Sequence, residues 1–168
     1  LAAIPGWDGE MLPVPFDLAQ QTGKLREQIA EQIKKTPNTE ETADALAANL
    51  ATDKTALLDT VREIEEQLKT GAPLPTDKHV LVEAFDKYLI VHASFGELVN
   101  RTLGCIFDAV LSDQEVIVGW WNDGYRILIE MPSKTTRTET TRLSSKLLSL
   151  TDEEVDKAFQ DYLEAKFP

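Results

Sequence analysis

The residues best equipped for chemistry in this sequence are two histidines and one cysteine, and none lies in a recognisable catalytic pattern. His79 and His92 have no cysteine or acid at metal-ligand spacing, and we interpret them as partly buried residues near strand ends. Cys105 falls among apolar neighbours in a helical pattern, where cysteine usually packs as a small hydrophobic side chain. No phosphate-binding loop, dinucleotide fingerprint or HExxH zinc pattern occurs. We therefore predict no catalytic residue, metal site or cofactor in this chain.

Three tryptophans and an arginine are stronger candidates for contact with a ligand. Trp7 lies in a proline-rich stretch, where it is either a core residue or an aromatic surface held out for stacking. Trp120 and Trp121 are adjacent on a predicted strand and must point to opposite faces. One of them can join the core, and the other is exposed unless a helix covers it. Arg126, on the following strand, could stack, pair with an acid or meet a phosphate.

The one basic stretch of the chain is SKTTRTETTRLSSK, residues 133–146. It carries Lys134, Arg137, Arg142 and Lys146 against the single acid Glu139. Its simpler interpretation is a solvated, mobile connection. Its functional interpretation is phosphate and sugar contact, because lysine and arginine charges together with hydroxyl donors are the usual groups for that purpose.

The whole chain is acidic, with 17 Lys and Arg against 29 Asp and Glu and a formal net charge of −12. A domain that binds nucleic acid unaided usually has the opposite sign, because phosphate neutralisation supplies most non-specific affinity. Eight of the acids lie in residues 39–70. This concentration favours an alternative function, an acidic interaction module that docks a basic partner without contacting nucleic acid.

Length and composition place the chain in a broad class. Its 168 residues are enough for one globular domain with a substantial core. A single cysteine fits a reducing, cytoplasmic location, and no apolar run approaches the ~18 residues of a membrane span. We therefore expect a cytoplasmic protein without membrane contact. Because the chain begins at Leu1 and enters patterned sequence at once, we expect a module cut from a longer polypeptide.

The first part of the sequence predicts an extended leading segment and a helical arm, residues 1–72. A short strand is expected near residues 10–14, followed by a helix that starts at Pro15 and ends before Pro37. Its apolar stripe consists of Leu18, Leu25, Ile29 and Ile33. Two further helices are expected, with Thr39 and Asp53 as their N-caps. The stretch GAPLPTD, residues 71–77, is typical of a linker.

The second part, residues 73–168, changes from helical to strand periodicity. HVLVEAF and YLIVHAS flank a turn at Asp86-Lys87, and EVIVGWW and YRILIEM flank a second turn at residues 122–124. Between these strand pairs lies a helix with Ser94 as its expected N-cap, and a last helix begins with the capping box of Thr151 and Glu154. The predicted fold is therefore α+β: a helical arm, a mainly antiparallel sheet of two strand pairs around a central helix, and C-terminal helices.

Three segments, taken together, resemble the DEAD/H-associated domain of the large helicase-related superfamily 2 ATP-dependent helicases. They are WDGEMLPVPFDLAQQTGKLRE, HASFGELVNRTLG and VGWWNDGYRILIEMP, and their order and spacing fit that domain over most of the chain. The resemblance implies a non-catalytic accessory domain that helps form the single-strand channel of a DNA or RNA helicase. It also implies RecA-like and winged-helix domains as partners in the same parent chain, with ATP and Mg²⁺ bound by the motor domains.

The resemblance assigns roles to individual residues. Trp7 matches the tryptophan of the W-x-G-E element, which implies stacking on a base of the tracking strand, and Gly9 and Glu10 match positions that shape this element. His92, Phe95, Gly96 and Asn100 are expected to be mainly structural, with Arg101 as the polar contact of their segment. The nucleic-acid contacts expected from all these observations are Trp7, Arg101, Arg126, Lys134, Arg137 and Arg142. The acidity of the chain implies that only a narrow strip meets the strand.

Overall fold

A computed structural model describes residues 12–36, 38–50, 52–112 and 117–166, and within them it shows a mixed α+β fold. Three helices precede two strands, one helix separates these from two further strands, and two helices follow, which confirms the predicted fold class. In chain order the elements are α1 (Phe16–Lys35), α2 (Thr39–Ala47), α3 (Lys54–Lys69), β1 (Leu81–Phe85), β2 (Tyr88–His92), α4 (Glu97–Ser112), β3 (Gly119–Asn122), β4 (Arg126–Glu130), α5 (Arg137–Leu148) and α6 (Asp152–Lys166).

The helical arm, α1 to α3, has its own apolar core. Ile29, Val61 and Ile64 are completely buried in it, and Leu25 and Ile33 pack at its edge. The predicted stripe of α1 is therefore confirmed except at Leu18, which is 51% exposed. The strand expected near residues 10–14 is not formed over its described part, because residues 12–15 have no strand partner.

The ends of the arm helices correct one predicted cap. Asn38, not Thr39, caps α2, because its side chain accepts hydrogen bonds from the backbone N–H groups of Glu40 and Glu41. Thr39 is instead the first helical residue, and its hydroxyl donates to Glu65 of α3. Asp53 caps α3 as predicted, by accepting from the backbone N–H of Thr55 at 2.6 Å.

The predicted linker at residues 71–77 is only partly a linker. Pro75 and Thr76 are buried, and the Thr76 hydroxyl accepts from the backbone N–H of Lys78. The Lys78 ammonium reaches back to α1 and pairs with Glu27 at 2.9 Å. The second half of this stretch is therefore packed onto the arm.

The four strands form one antiparallel sheet in the order β1-β2-β4-β3. The two predicted strand pairs are joined by β2 and β4, and Asp86 supplies the tight β1–β2 turn with φ of 53°. Strand alternation gives the sheet an inner face, which includes the fully buried Leu89, Ile127 and Ile129. The helices that follow β2 contribute to the same core cluster as these residues. The opposite side is called the outer face below.

Helix α4 starts at Glu97, two residues later than an N-cap at Ser94 predicts. The first backbone bond of the helix runs from the N–H of Asn100 to the carbonyl of Gly96, so Gly96 occupies the capping position. Gly96 has φ of 79°, and a Cβ there would lie 2.7 Å from the backbone N of Phe16. Ser94 is buried, and its carbonyl accepts from the Gln20 side chain of α1.

The interpretation of residues 133–146 as a mobile connection is wrong. The segment contains most of α5, which opens with a capping box between Thr136 and Glu139. Leu143 and Leu147 lie one turn apart and are buried against the inner face of the sheet. The T-x-x-E capping signal and the apolar pair at i, i+4 favour a helix here, although most residues of the segment are polar. The capping box of Thr151 and Glu154 at the start of α6 is confirmed. No helix in the described ranges is long and apolar enough to cross a membrane.

Candidate nucleic-acid interface

Two of the predicted contact residues lie at one corner of the molecule, where the first turn of α4 meets the β3–β4 turn. The buried Asn100 joins these elements by donating to the carbonyls of Ala93 and Asp123, both at 3.0 Å. Arg101 is exposed on α4 and pairs with Glu97 at 2.9 Å. Arg126 is exposed at the start of β4 and pairs with Asp123 at 2.8 Å. The structural role expected for Asn100 is thus confirmed.

The other predicted cations lie at the opposite end of the sheet. Residues 134–135 adjoin the β1–β2 turn, because the backbone N–H of Thr135 donates to the carbonyl of Asp86, and Lys134 lies 3.8 Å from the carboxylate of Asp86. Lys134 and Arg142 border one shallow depression. Arg137 is exposed at the start of α5, whereas Lys146 donates to the carbonyl of Val110.

The sheet register shows how far apart these two groups are. Arg126 is paired with His92 at one end of β4, and Glu130 is paired with Tyr88 at the other end, beside the β1–β2 turn. Four residues of antiparallel strand span roughly 13 Å. The predicted set therefore forms two separate surfaces. Trp7, Gly9 and Glu10 lie outside the described residues.

A slot on the outer face, called here the sheet-face slot, adjoins Arg126. It has a volume of about 300 Å³ and is lined by Ile90, Trp121, Asn122, Asp123, Arg126 and Leu128. Trp121 is 54% exposed, whereas its neighbour Trp120 packs against the core of the inner face. A Cβ at Gly104 of α4 would overlap the Trp120 ring, so the glycine provides the space for that ring. The predicted opposite orientation of the two tryptophans is confirmed.

The guanidinium of Arg126 is fixed by its own turn. Its Nε and Nη2 both donate to Oδ2 of Asp123, at 3.1 and 2.8 Å. The other carboxylate oxygen of Asp123 accepts from the backbone N–H groups of Tyr125 and Arg126 at 2.7 Å. This two-point bond holds the guanidinium plane in one orientation and offsets its charge.

Other charged groups of the outer face are also paired. His92 Nε2 lies 3.0 Å from Oε2 of Glu83, on the neighbouring strand. Lys87 bonds to Glu130, and this hydrogen bond raises the pKa of the Lys87 ammonium. The outer face therefore combines aromatic and apolar groups with charges that largely cancel one another.

A larger groove, called here the arm–sheet groove, separates the helical arm from the outer edge of the sheet. Its volume is about 650 Å³, and Arg126 borders both the groove and the sheet-face slot. Arg26 of α1 lines it, donating to Gln67 at 3.2 Å, while its buried Nε has no hydrogen-bond partner among the described residues. His92 and Glu83 line the opposite wall. The two depressions thus meet at one arginine.

The sequence named Trp121 as a candidate for ligand contact but did not place it among the expected nucleic-acid contacts, and it did not single out Arg26. Trp121 had a usable signal, since an adjacent pair of tryptophans on a strand places one ring on each face. Arg26 lay within the family-like segment at the start of the chain but appeared there as one polar residue of a helix. Its position in a groove depends on the packing of the arm beside the sheet. No group of three or more metal-ligating side chains occurs in the described ranges.

Fold and site together define an α+β module with an open, aromatic-bearing sheet face. A profile of the family described as DEAD/H associated matches residues 74–166, which is more than half of the chain. The chain belongs to the DEAD/H associated family, as the resemblance of its three segments indicated.

Two curated relatives carry the same description, ATP-dependent helicase Lhr-Core. The protein of Saccharolobus solfataricus is 31% identical over an alignment of 136 positions, which covers 76% of this chain and 16% of the relative. The protein of Sulfolobus acidocaldarius is 29% identical over an alignment of 136 positions, which covers 75% of this chain and 15% of the relative. The chain therefore spans a small part of the length of the relatives it matches.

A solved structure shows the same fold. It is that of the Mycobacterium smegmatis helicase Lhr bound to single-stranded DNA and AMP-PNP. The match has a TM-score of 0.67 at 17% identity, and it covers 97% of this chain and 20% of that chain. At this identity the match establishes the architecture, including the arm outside the family profile.

Proposed function

We propose that this chain is an accessory domain of an ATP-dependent, Lhr-type superfamily 2 helicase, which helps form the single-strand channel and couples it to the motor. The observation that carries the proposal is the similarity, over an alignment of 136 positions, to ATP-dependent helicases of the Lhr-Core type. We assign ATP and Mg²⁺ to RecA-like motor domains of the parent chain. Those domains and a winged helix are its intramolecular partners, and this module is non-catalytic by itself.

The proposed contacts fall on two surfaces, one at each end of the sheet. Arg101 and Arg126 serve the first, and Lys134, Arg137 and Arg142 serve the second, while Trp7 stacks on a base of the tracking strand. The two surfaces lie roughly 13 Å apart along β4. A strand that reaches both would cross the sheet, which fits a channel wall better than a single phosphate pocket.

An acidic interaction module is the second candidate function. Glu40, Glu41, Glu63 and Glu66 are all exposed on α2 and α3, away from the sheet core. Such a surface can dock a basic partner by charge complementarity. This function requires no contact with nucleic acid.

Fluorescence anisotropy with labelled single-stranded DNA and RNA oligonucleotides distinguishes the two functions. We expect salt-sensitive binding, with Arg137→Ala lowering the slope of log affinity against log salt by about 0.7, the value for one lost phosphate contact. Arg62→Ala is the control, because Arg62 is an exposed helix arginine within the acidic arm and pairs with Asp59. It should leave the slope unchanged.

The opposite pattern would contradict the proposal. It consists of no binding of either oligonucleotide at low salt, together with binding of a labelled polylysine peptide that is lost when Glu40 and Glu41 are replaced by glutamine. That result would favour the acidic interaction module.

A further inference from the structure

The sheet-face slot has a composition that the proposed function does not yet explain. Trp121 stands on the outer face of β3, opposite Leu128 of β4, which in turn is opposite Ile90 of β2. Ile90 and Leu128 are only partly exposed and form an apolar floor, while Trp121 is exposed over 54% of its surface. The slot thus has an apolar floor and one large aromatic ring.

Arg126 provides the second boundary of the slot. It is the diagonal neighbour of Trp121 across the β3–β4 pair, and such positions lie about 7–8 Å apart. A planar ring that contacts one group on each of its two faces lies about 3.5–4.0 Å from each group, so the two groups must be about 7–8 Å apart. The spacing of these two strand positions therefore leaves room for one planar, aromatic ligand between their side chains.

The state of Arg126 favours a base over a phosphate. Its charge is already offset by the two-point bond to Asp123, so its attraction for a phosphate is weakened. Its guanidinium plane is nevertheless held in place, and bases stack on arginine planes as well as on aromatic rings. The slot volume of about 300 Å³ is at the lower end of the range for small-ligand sites, which runs from ~300 to ~1,000 Å³. That size suits one base.

We propose that the sheet-face slot binds one nucleobase of the single strand, stacked on Trp121 and bordered by the guanidinium of Arg126. This assignment rests on the proposed function and adds a second base contact, distinct from that of Trp7. Stacking and apolar contact are available to every base, so the slot holds a base without reading its identity.

Photocrosslinking tests the assignment on this chain. A short single-stranded oligonucleotide with one 5-iodouracil is bound at low salt and irradiated, and the crosslinked peptide is identified by mass spectrometry. We expect a crosslink at Trp121. The Trp121→Leu variant keeps an apolar side chain without the ring and should bind roughly five- to one-hundredfold more weakly. Trp121→Phe keeps a ring and should retain most of the affinity.

Tyr162→Leu is the matched control. Tyr162 is partly exposed on α6, which packs on the helical side of the sheet, opposite the slot. The same aromatic-to-leucine change there should alter affinity less than twofold. Far-UV circular dichroism of each variant confirms that the fold is retained.

Three results would overturn the slot assignment. In the first, crosslinks occur only at Trp7 or in α5, and Trp121→Leu binds the oligonucleotide as tightly as the parent. The slot would then not bind a base, although the accessory function would still stand. A change in oligomeric state on Trp121→Leu, with unchanged oligonucleotide affinity, would assign the face to a protein partner. Absence of all oligonucleotide binding by the parent chain would overturn the slot and the proposed function together.

Discussion

The two faces of the sheet are made by the same four strands and have opposite properties. On the inner face, Leu89, Ile127 and Ile129 are fully buried in a core shared with α4, α5 and α6. On the outer face, alternate residues of the same strands include Trp121, Arg126 and the contact between His92 and Glu83. Trp120 and Trp121 show this difference directly. They are adjacent in sequence, but Trp120 lies on the inner face and Trp121 on the outer face.

The contrast separates stability from binding. A residue of the inner face is surrounded by core atoms, so its removal leaves a cavity. An outer-face residue makes few contacts within the fold, so its removal should change stability little and contact with a ligand more. The first two predictions below therefore compare a change that should destabilise the fold with one that should not.

The largest effect is expected from Trp120→Ala. This change empties the space over Gly104 and should lower the free energy of unfolding by about 3 kcal/mol, near the lower limit for aromatic truncation in a core. Trp121→Ala should lower it by less than about 1 kcal/mol. Urea unfolding followed by circular dichroism measures both values. Equal losses in the two variants would show that the outer face also contributes to the folded core.

The second effect concerns the bonds that join the two elements at the β3–β4 corner. Asn100→Leu removes both amide donors and leaves the carbonyls of Ala93 and Asp123 without that partner, so we expect a loss of about 2–3 kcal/mol. Asn49→Leu is the control, because Asn49 is exposed just after α2 and donates to the carbonyl of Ala45 in that helix. Thermal unfolding of both variants checks the difference. If Asn100→Leu were as stable as the parent, the corner would be held by other contacts.

The third effect concerns the charge of Arg126. Asp123→Asn retains an oxygen for the turn but removes the ion pair, so the guanidinium becomes available to phosphates. We expect the salt dependence of oligonucleotide binding to steepen by about 0.7 and the stability to change by less than about 1 kcal/mol. Anisotropy titrations at several salt concentrations measure the slope. An unchanged slope would mean that Asp123 does not offset the charge of Arg126.

The smallest effect is a dependence of stability on pH from the capping boxes on the helical side of the sheet. Hydrogen bonds from the backbone of Thr136 and Thr151 lower the pKa of Glu139 and Glu154 from the ordinary value of 4.5. Their stabilisation is fully present above pH 4.5 and is lost as the pH falls through the lowered pKa values. The melting temperature should therefore fall less steeply with decreasing pH in Glu139→Gln and in Glu154→Gln than in the parent. Parallel curves for parent and variants would contradict this linkage.

Local patterns predicted much of the fold because the deciding contacts were local. The opposite orientation of Trp120 and Trp121 follows from strand alternation, and the capping box at Thr151 follows from a spacing of three residues. Thr39 was the wrong cap because Asn38 beside it is an equally suitable residue, and sequence does not decide between neighbours.

The candidate site was less accessible to sequence reasoning because its contacts are distant in the chain. The slot requires β2 to pair with β4, which brings Ile90 beside Leu128, and no local pattern specifies that pairing. The arm–sheet groove likewise requires Arg26 of α1 to lie across from His92. The division of the predicted cations into two surfaces also follows from the sheet register.

The most direct test of a nucleic-acid-contacting outer face is an NMR titration of the tryptophan indole N–H signals with a single-stranded oligonucleotide. Single substitutions at Trp7, Trp120 and Trp121 assign the signals. We predict that the Trp121 signal shifts and saturates with the oligonucleotide while the Trp120 signal, on the inner face, stays in place. A Trp121 signal that remains fixed while the oligonucleotide is bound elsewhere would contradict the assignment of the outer face to the strand.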